Sequence, residues 1–284
     1  MSPLVSPAIE ERAYAKLNLI LHVGRPRPDG LHPLCSILAS IDLCDDLVVE
    51  CAREDRVECP GVDGPNLAQA ALDALRARMP ELPQLWVRIE KRIPVAAGLG
   101  GGSADAAAVL RAANRIVGAP LDAGELRALA ARLGSDVPSQ VEPGHALVAG
   151  VGELVEPVEL PEFGVLLVPQ REGLSTAAVY AEFDRLGGGR AELDVEATRS
   201  LAREMQLLPV LGNDLQPAAL SLRPELHDTL ASLKAAGALG SLVSGSGPTC
   251  FGLFEDRAAA QAAAPRFDGA IPVALRGLSG QSLP

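Results

Sequence analysis

Aromatic residues are scarce in this sequence. They make up 3% of its 284 residues, so a core of any size must be built mainly from alanine, leucine and valine. Basic residues are also few, with 25 Lys and Arg against 36 Asp and Glu and a formal net charge of −11. A surface of that sign repels nucleic acid and anionic membranes, so we expect neither as a partner. An anionic substrate would have to be bound by local hydrogen-bond donors.

Long apolar runs and paired cysteines are absent as well. No run approaches the roughly 20 residues that span a bilayer, and the N-terminal residues contain no basic segment followed by an apolar one. We therefore expect a cytoplasmic protein. The five cysteines are odd in number and none has C-x-x-C spacing, which argues against a zinc knuckle or a disulfide framework. We expect reduced thiols that act as small core side chains at Cys35, Cys44, Cys51, Cys59 and Cys250.

The remaining composition is that of a globular protein, with 48% hydrophobic and 21% charged residues, and this excludes wholesale disorder. Strand-like and helix-like patterns alternate along the whole chain. They indicate two α+β halves that meet near residues 150–163. The patterns predict strands over 17–23, 46–51, 85–91, 164–168, 239–243, 250–254 and 271–275, and helices over 66–78, 104–116, 122–133, 175–183, 224–236 and 258–264.

A glycine-rich loop lies between a predicted strand and a predicted helix. Its core, residues 98–103, has four glycines in five positions followed by Ser103, and we call it the first glycine loop. So many glycines are unfavourable in chain entropy, but they let backbone N–H groups approach an anion at a helix N-terminus. The Ser103 hydroxyl adds a ligand for phosphate or Mg²⁺. A glycine-rich turn without a ligand is the alternative. No Lys follows as in a Walker A loop, and Ser103 breaks the dinucleotide fingerprint.

Two charged residues stand out by their surroundings. Lys16 is alone in an apolar strand, where it is either solvent-facing or a buried charge that needs a partner. Asn18 falls on the same strand face by the period of two. Asp136 lies at a predicted junction between a loop and a helix, where capping the helix is the ordinary role of an aspartate.

Other polar residues have simpler interpretations. Asn66 is placed to cap the helix that follows it. Asn213 and Asp214 are interpreted as a turn and a helix cap. Glu90–Arg92 is a charge cluster at a strand end, which we expect to be solvated. Gly245–Gly247, the second glycine loop, is either a ligand-binding loop or a tight turn between strands.

Three motifs span nearly the whole chain, in the order Ala15–Leu19, Pro94–Ala107 and Ser244–Cys250. They resemble the motifs of the GHMP kinases and have the same order. Three further segments are Arg27–His32, Leu133–Pro138 and Gly212–Leu215. These resemble the branch of that family that phosphorylates a methylerythritol linked to cytidine diphosphate.

This resemblance implies a two-domain α+β architecture, with a ribosomal-protein-S5-like half over residues 1–158, a ferredoxin-like half over 159–284, and an active site in the cleft between them. It also implies ATP and Mg²⁺ as cofactors and a chain that is a monomer or a weak homodimer. The implied reaction is phosphorylation of the substrate's 2-hydroxyl, a step of non-mevalonate isoprenoid precursor biosynthesis. A homoserine-type or mevalonate-type kinase, or a nucleotide-binding protein without turnover, is the alternative.

The resemblance also implies roles for individual residues. Asp136 would accept the hydroxyl proton, and Lys16 would hold that carboxylate in its charged form. Leu31 departs from the aromatic residue usual at its position, so Tyr180 would carry more of the packing on the base. No metal ligands are identified. Expected ATP contacts are Asn66, Pro94, Gly98, Leu99, Gly100, Gly101, Gly102 and Ser103, and expected substrate contacts are Asn18, Leu31, His32, Thr176, Tyr180, Gly245, Ser246 and Gly247.

Overall fold

The computed structural model describes residues 8–62, 64–204 and 207–276. These residues form alternating strands and helices, as the sequence patterns predict. The strands are β1 (Ile9–Val23), β2 (Leu34–Cys51), β3 (Arg56–Glu58), β4 (Leu85–Glu90), β5 (Ala146–Gly150), β6 (Leu154–Pro157), β7 (Gly164–Val168), β8 (Gly212–Asn213), β9 (Gly240–Val243), β10 (Cys250–Phe254) and β11 (Ile271–Ala274). The helices are α1 (Leu67–Arg78), α2 (Gly101–Ile116), α3 (Ala123–Ala130), α4 (Thr176–Arg185), α5 (Val195–Arg203), α6 (Gln216–Leu222), α7 (Leu226–Ala235) and α8 (Arg257–Ala263).

The chain forms two compact units that are not continuous in sequence. The first unit holds the described residues up to Ala15, together with Leu43–Val95 and Gly100–Pro143. The second unit holds Lys16–Asp42, Ala96–Leu99 and the described residues from Gly144 onward. The long strands β1 and β2 therefore each contribute one part to each unit. The domain division at 158/159 stays a prediction.

The first unit packs helices against a small sheet. The second part of β2 pairs antiparallel with β4, and β3 runs parallel to β4. In β4 the side chains of Leu85, Val87 and Ile89 are buried while the intervening ones are less so, which confirms the predicted alternation. Helices α1, α2 and α3 cover this face, and α2 contributes mostly alanines to the core. Small side chains let a helix approach its neighbours closely, which explains a large core built with few aromatics.

The second unit contains a separate four-stranded antiparallel sheet in the order β11-β7-β10-β9. Strand β7 is buried along its whole length and pairs on both sides. Leu166, Leu233 and Phe254 lie in the core between this sheet and helices α7 and α8. In the same unit, β2 pairs with β5 through Leu34–Leu38, β5 pairs with β6, and β8 runs parallel to β1 at Ile20 and Leu21.

The differences from the predicted elements have local causes. Helix α2 begins at Gly101, three residues before the predicted start, because the loop glycines themselves form its first turn. Helix α3 ends at Ala130 and tightens into turns up to Leu133, while Asp122 caps its start as predicted. Helix α7 begins at Leu226, after Pro224 rather than with it in the first turn. Three strand regions were not predicted: β5, β6 and the first part of β2. The first part of β2 is buried on both faces, so its sequence shows no alternation of apolar and polar residues.

The five cysteines form no disulfide. Cys35, Cys44 and Cys250 are buried, as expected for small core side chains, whereas Cys59 is half-buried. The expectation was wrong for Cys51, which is exposed at the end of β2. Across the described residues, no helix combines the length and the apolar character that crossing a membrane requires.

Candidate active site

Lys16 is buried on β1, with 4% of its surface exposed. Of the two sequence-based alternatives, the buried charge is therefore correct. Its Nζ donates a hydrogen bond of 2.7 Å to Asn18 Oδ1, so the predicted shared strand face is confirmed. The Asn18 Nδ2 donates in turn to Ser36 Oγ on the neighbouring strand β2. A buried ammonium held in this way keeps a fixed position beside whatever binds next to it.

The second glycine loop lies directly over this pair. Gly245 has a φ of +55°, and a Cβ atom there would lie 3.1 Å from Lys16 Nζ and 3.3 Å from Asn18 Oδ1. Asn213 supports the loop from below, because its Nδ2 donates to the carbonyls of Val243 and Gly245 at 2.8 and 2.7 Å. The structure therefore brings three predicted site residues together, and it explains Gly245 by the close approach of a charged side chain.

Two further predicted substrate contacts meet at the same loop. Thr176 begins helix α4, and its Oγ1 lies 3.0 Å from Ser246 Oγ. Gly247 has a φ of +81°, and a Cβ there would press on Val243 at 2.8 Å. This loop therefore presents hydroxyl groups on a backbone that only glycine allows at two of its positions.

An aromatic cluster forms around His32. Its ring lies 5.1 Å from that of Tyr180 and 5.9 Å from that of Phe183. His32 Nδ1 donates to the Gly24 carbonyl at 2.9 Å, which leaves Nε2 on the side of Asp184, 3.5 Å away. His32 and Tyr180 come together as predicted. The sequence reasoning missed Phe183, although its spacing of three residues from Tyr180 on one helix was a usable signal.

Leu31, the neighbour of His32, is 53% exposed. Its backbone N–H donates to Asp29 Oδ1 at 3.1 Å, and its side chain lies at the surface. An exposed leucine at this place offers an apolar contact and no aromatic face.

The first glycine loop opens helix α2. Gly100 is the N-cap with a φ of +73° and makes no side-chain capping bond, and the first turn of α2 has no acidic residue. At Gly102 a Cβ would meet nothing closer than Leu67 at 3.9 Å, so the backbone there is openly accessible. Free N–H groups at an uncapped helix N-terminus are the donors that a phosphate requires. Gly101, Gly102 and Ser103 form this turn.

The earlier residues of the loop have a different function. A Cβ at Gly98 would lie 2.2 Å from the carbonyl oxygen of Ser244, and the Ser244 Oγ donates to the Gly98 carbonyl at 2.9 Å. Leu99 is buried, and its carbonyl accepts from the Lys16 N–H at 3.0 Å. These two residues therefore join the loop to the second glycine loop and to β1. A direct contact of Pro94, Gly98 or Leu99 with ATP stays a prediction.

Lys91 corrects one expectation. The cluster at 90–92 was expected to be solvated, but the Lys91 side chain is only 12% exposed, and its Nζ lies between Asp45 at 2.5 Å and Asp105 at 2.6 Å. Burial alone would lower the pKa of Lys91, and the two carboxylates raise it instead. Burial raises the pKa of Asp105 to about 7, because one ammonium cannot neutralise two buried carboxylates. Since Asp105 lies in the second turn of α2, this network anchors the first glycine loop.

Asn66 caps helix α1, and its Oδ1 accepts from the Ala68 N–H at 2.9 Å. The capping role is therefore confirmed, and a contact with ATP stays a prediction. Asp214 corrects a second expectation, because helix α6 is capped by Leu215 without any side-chain bond. Asp214 instead binds Arg190 and the Val23 N–H. Burial would raise the pKa of Asp214, but these hydrogen bonds lower it below its usual range.

Asp136 lies in the first unit, in the loop before the short helical turn Pro138–Gln140. Its carbonyl oxygen accepts from Ser139 Oγ at 2.8 Å. The cap position of the turn is Val137, which makes no side-chain capping bond. Lys16 belongs to the second unit, and its pairing with Asp136 stays a prediction. Among the described residues, no group of three or more His, Cys, Asp and Glu side chains is placed to hold a metal ion.

Comparison with known proteins agrees with the sequence motifs. Residues 66–145 match the model of the GHMP kinases N terminal domain, and residues 190–270 match that of the GHMP kinases C terminal. Proteins of Nocardia farcinica and Streptomyces avermitilis, both named 4-diphosphocytidyl-2-C-methyl-D-erythritol kinase, are 43% and 42% identical to this chain. The two alignments cover 99% and 90% of this chain, and 96% and 91% of those proteins.

A solved structure gives the same result. The crystal structure of a 4-(cytidine 5'-diphospho)-2C-methyl-D-erythritol kinase superposes with a TM-score of 0.81 and 35% identity, over 95% of this chain and all of that one. The predicted two-domain GHMP kinase fold is thereby confirmed. The chain therefore belongs to the GHMP kinases and, within them, to the family of the relatives named 4-diphosphocytidyl-2-C-methyl-D-erythritol kinase.

Proposed function

We infer that this chain transfers the terminal phosphoryl group of ATP to the 2-hydroxyl of 4-diphosphocytidyl-2-C-methyl-D-erythritol, a step of non-mevalonate isoprenoid precursor biosynthesis. Identity of 43% along almost the whole chain with a relative named for this substrate supports the inference. The single structural observation that carries it is the buried Lys16 ammonium, held by Asn18 and lying close to Gly245 of the second glycine loop. A cation that is fixed next to a glycine loop can stabilise the negative charge that develops during phosphoryl transfer.

The triphosphate is assigned to the first turn of α2. The N–H groups of Gly101, Gly102 and Ser103 lie in the first turn of this helix, where they can donate to an anion and where the helix dipole also favours negative charge. Mg²⁺ would neutralise charge on the phosphates when bound. Because the described residues offer no carboxylate cage, its protein ligand would be the Ser103 hydroxyl, with phosphate oxygens and water as the other ligands.

Asp136 is assigned the hydroxyl proton, and Lys16 is assigned to hold that carboxylate in its charged form. In the transfer, a bond forms between the substrate oxygen and the terminal phosphorus, and the bond from that phosphorus to the bridging oxygen breaks. ADP leaves with the bridging oxygen, and the hydroxyl proton passes to Asp136. Since the transition state for such transfers is loose, positioning and charge neutralisation contribute more than the strength of the base.

The cytosine is assigned to the aromatic cluster of His32, Tyr180 and Phe183. Tyr180 supplies a ring face, and His32 is held in one orientation by its bond to the Gly24 carbonyl. Leu31 provides an apolar contact where an aromatic would stack. In nucleic-acid complexes such a stack contributes about 1–3 kcal/mol per base, so binding here depends more on the remaining rings.

A coupled assay of ADP release tests the function. The purified chain is given ATP and Mg²⁺ with 4-diphosphocytidyl-2-C-methyl-D-erythritol, homoserine or mevalonate in separate reactions. We expect saturable ADP release with the first acceptor alone, and phosphorus NMR of the product should show a monophosphate ester at the 2-oxygen. Turnover with homoserine or mevalonate instead would assign the chain to another branch, and ATP binding without turnover on any acceptor would contradict a kinase.

A further inference from the structure

Three buried polar side chains form a continuous chain of hydrogen bonds behind the second glycine loop. Lys16 Nζ donates to Asn18 Oδ1 at 2.7 Å, Asn18 Nδ2 donates to Ser36 Oγ at 2.9 Å, and Ser36 Oγ donates to the Ile20 carbonyl at 2.6 Å. Lys16, Asn18 and Ser36 are 1–4% exposed, so water does not substitute for these partners. Ser36 was not among the predicted site residues, since it lies in the part of β2 that the sequence patterns did not identify.

The direction of this chain is fixed at one end by the backbone. A carbonyl oxygen accepts hydrogen bonds and a serine hydroxyl has one proton, so the bond to Ile20 uses the single donor of Ser36. What Ser36 presents to Asn18 is therefore a lone pair. Asn18 must turn its NH₂ group to Ser36 and its oxygen to Lys16. With the amide reversed, its NH₂ group would face the ammonium, and the hydrogen bond from Lys16 to Asn18 Oδ1 would be lost.

We propose that Ser36 is a positioning residue of the kinase, which acts through Asn18 to orient the amide and so to fix the Lys16 ammonium. The proposal rests on the proposed function, because the position of Lys16 affects turnover only if Lys16 takes part in the transfer. Gly245 lies so close to the amide and the ammonium that a Cβ atom there would be 3.3 and 3.1 Å from them, which limits the room for the pair to rearrange. Its orientation is then set by Ser36.

Two variants of the same shape separate the effect of the hydroxyl from that of side-chain volume. Ser36→Thr keeps the hydroxyl and adds a methyl group, whereas Ser36→Val has the same shape with a second methyl group in place of the hydroxyl. We expect Ser36→Val to lower kcat about 10- to 100-fold, the scale of a displaced catalytic group, with little change in the KM for ATP. We expect Ser36→Thr to recover most of that loss.

Ser241 provides a matched control. It is buried on β9 in the same unit, and its Oγ also donates to a backbone carbonyl, that of Leu230 at 3.1 Å. Ser241→Ala should therefore lower the thermal midpoint of unfolding much as the Ser36 variants do and leave kcat unchanged. An equal loss of kcat in Ser241→Ala and Ser36→Val would show a general loss of stability and overturn the proposal.

A double-mutant cycle tests whether Ser36 acts through Asn18. In an Asn18→Ala background, Ser36→Val should cause no further loss of kcat, because the group it orients is gone. Additive losses would contradict the proposal. Lys16→Met distinguishes this failure from failure of the proposed function. Wild-type turnover in Lys16→Met would remove Lys16 from the reaction, whereas loss there together with unchanged kcat in Ser36→Val would overturn the role of Ser36 alone.

Discussion

The two glycine loops look alike in sequence but are supported by different chemistry. The hydrogen bonds that hold the second loop come from a neutral group, the amide of Asn213, while the Lys16 ammonium lies close to Gly245. The first loop continues into a helix that is anchored by an ionic cluster, in which Lys91 bridges the buried carboxylates of Asp45 and Asp105. A glycine-rich segment can therefore be held by hydrogen bonds from a neutral amide or by an ionic cluster, and of these two supports we expect the ionic cluster to respond to pH.

The glycines themselves also differ in what they provide. Gly98 is required by packing, because any side chain would enter the Ser244 carbonyl, whereas Gly102 leaves open space for a ligand. The same residue type therefore maintains structure at one position of the loop and access at another.

The largest effect is expected from substituting these two glycines. Gly98→Ala combines a φ of +76° with a Cβ only 2.2 Å from the Ser244 carbonyl oxygen, so it should lower the free energy of unfolding by about 4 kcal/mol or more, or prevent folding. Gly102→Ala lies within a helix and should change stability by less than about 1 kcal/mol. In that variant the KM for ATP should rise instead. Denaturant unfolding and steady-state kinetics measure both, and equal losses of stability would contradict the distinction.

Removal of the neutral support should have an intermediate effect. Asn213→Ala deletes two donated bonds and leaves the Val243 and Gly245 carbonyls without them, which should lower the free energy of unfolding by about 2–4 kcal/mol. The loss should be the same at pH 6 and pH 8. Asn114→Ala is the control, because Asn114 is a buried amide that fixes the turn after α2. Asn114→Ala should destabilise the protein while leaving the KM for the cytidine substrate unchanged. If the loss of unfolding free energy in Asn213→Ala depended on pH, the support of the second loop by a neutral amide would be contradicted.

The charged support predicts a smaller, pH-dependent effect. Because the pKa of Asp105 is raised to about 7, the folded protein holds this proton more tightly than the unfolded chain does. The resulting stabilisation is complete below the ordinary pKa of 3.8 and is lost as the pH rises through about 7. Relative to Asp105→Asn, wild-type stability should therefore fall by on the order of 2 kcal/mol between pH 5 and pH 8. Asp73→Asn, at an exposed carboxylate on α1, should show no such trend. Thermal unfolding at several pH values measures the difference, and parallel curves for the wild type and Asp105→Asn would refute the charged anchor.

Local sequence patterns were sufficient to predict the helices and strands that have one buried face, and to locate the motifs. The alternation in β4 and the caps at Asn66 and Asp122 follow directly from neighbouring residues. Lys16 could be identified as a candidate site residue because it is a single charge in an otherwise apolar strand. Lys91 was misjudged because it sits among other charges, and its partner Asp45 lies 46 positions away along the chain.

The residues that hold the site residues in place could not be predicted from the sequence. Asn213 and Ser36 contact groups 30 and 18 positions away. The motif Gly212–Leu215 drew attention to Asn213 without showing what it contacts, and nothing around Ser36 distinguishes it from an ordinary strand residue. Such roles arise from strand pairing, which period-based reasoning does not reveal. The motifs therefore predicted which residues carry chemistry, and the fold was needed to show which residues hold them.

The role of Asp136 is tested most directly by one variant studied in two ways. Asp136→Asn keeps the shape of the side chain and removes its ability to accept the proton. We predict a loss of kcat of about 100- to 10,000-fold with ATP affinity unchanged in a calorimetric titration. Asp122→Asn, which keeps an effective helix cap in the same unit, should retain wild-type turnover. Wild-type kcat in Asp136→Asn would contradict the account, because no other carboxylate is assigned the proton.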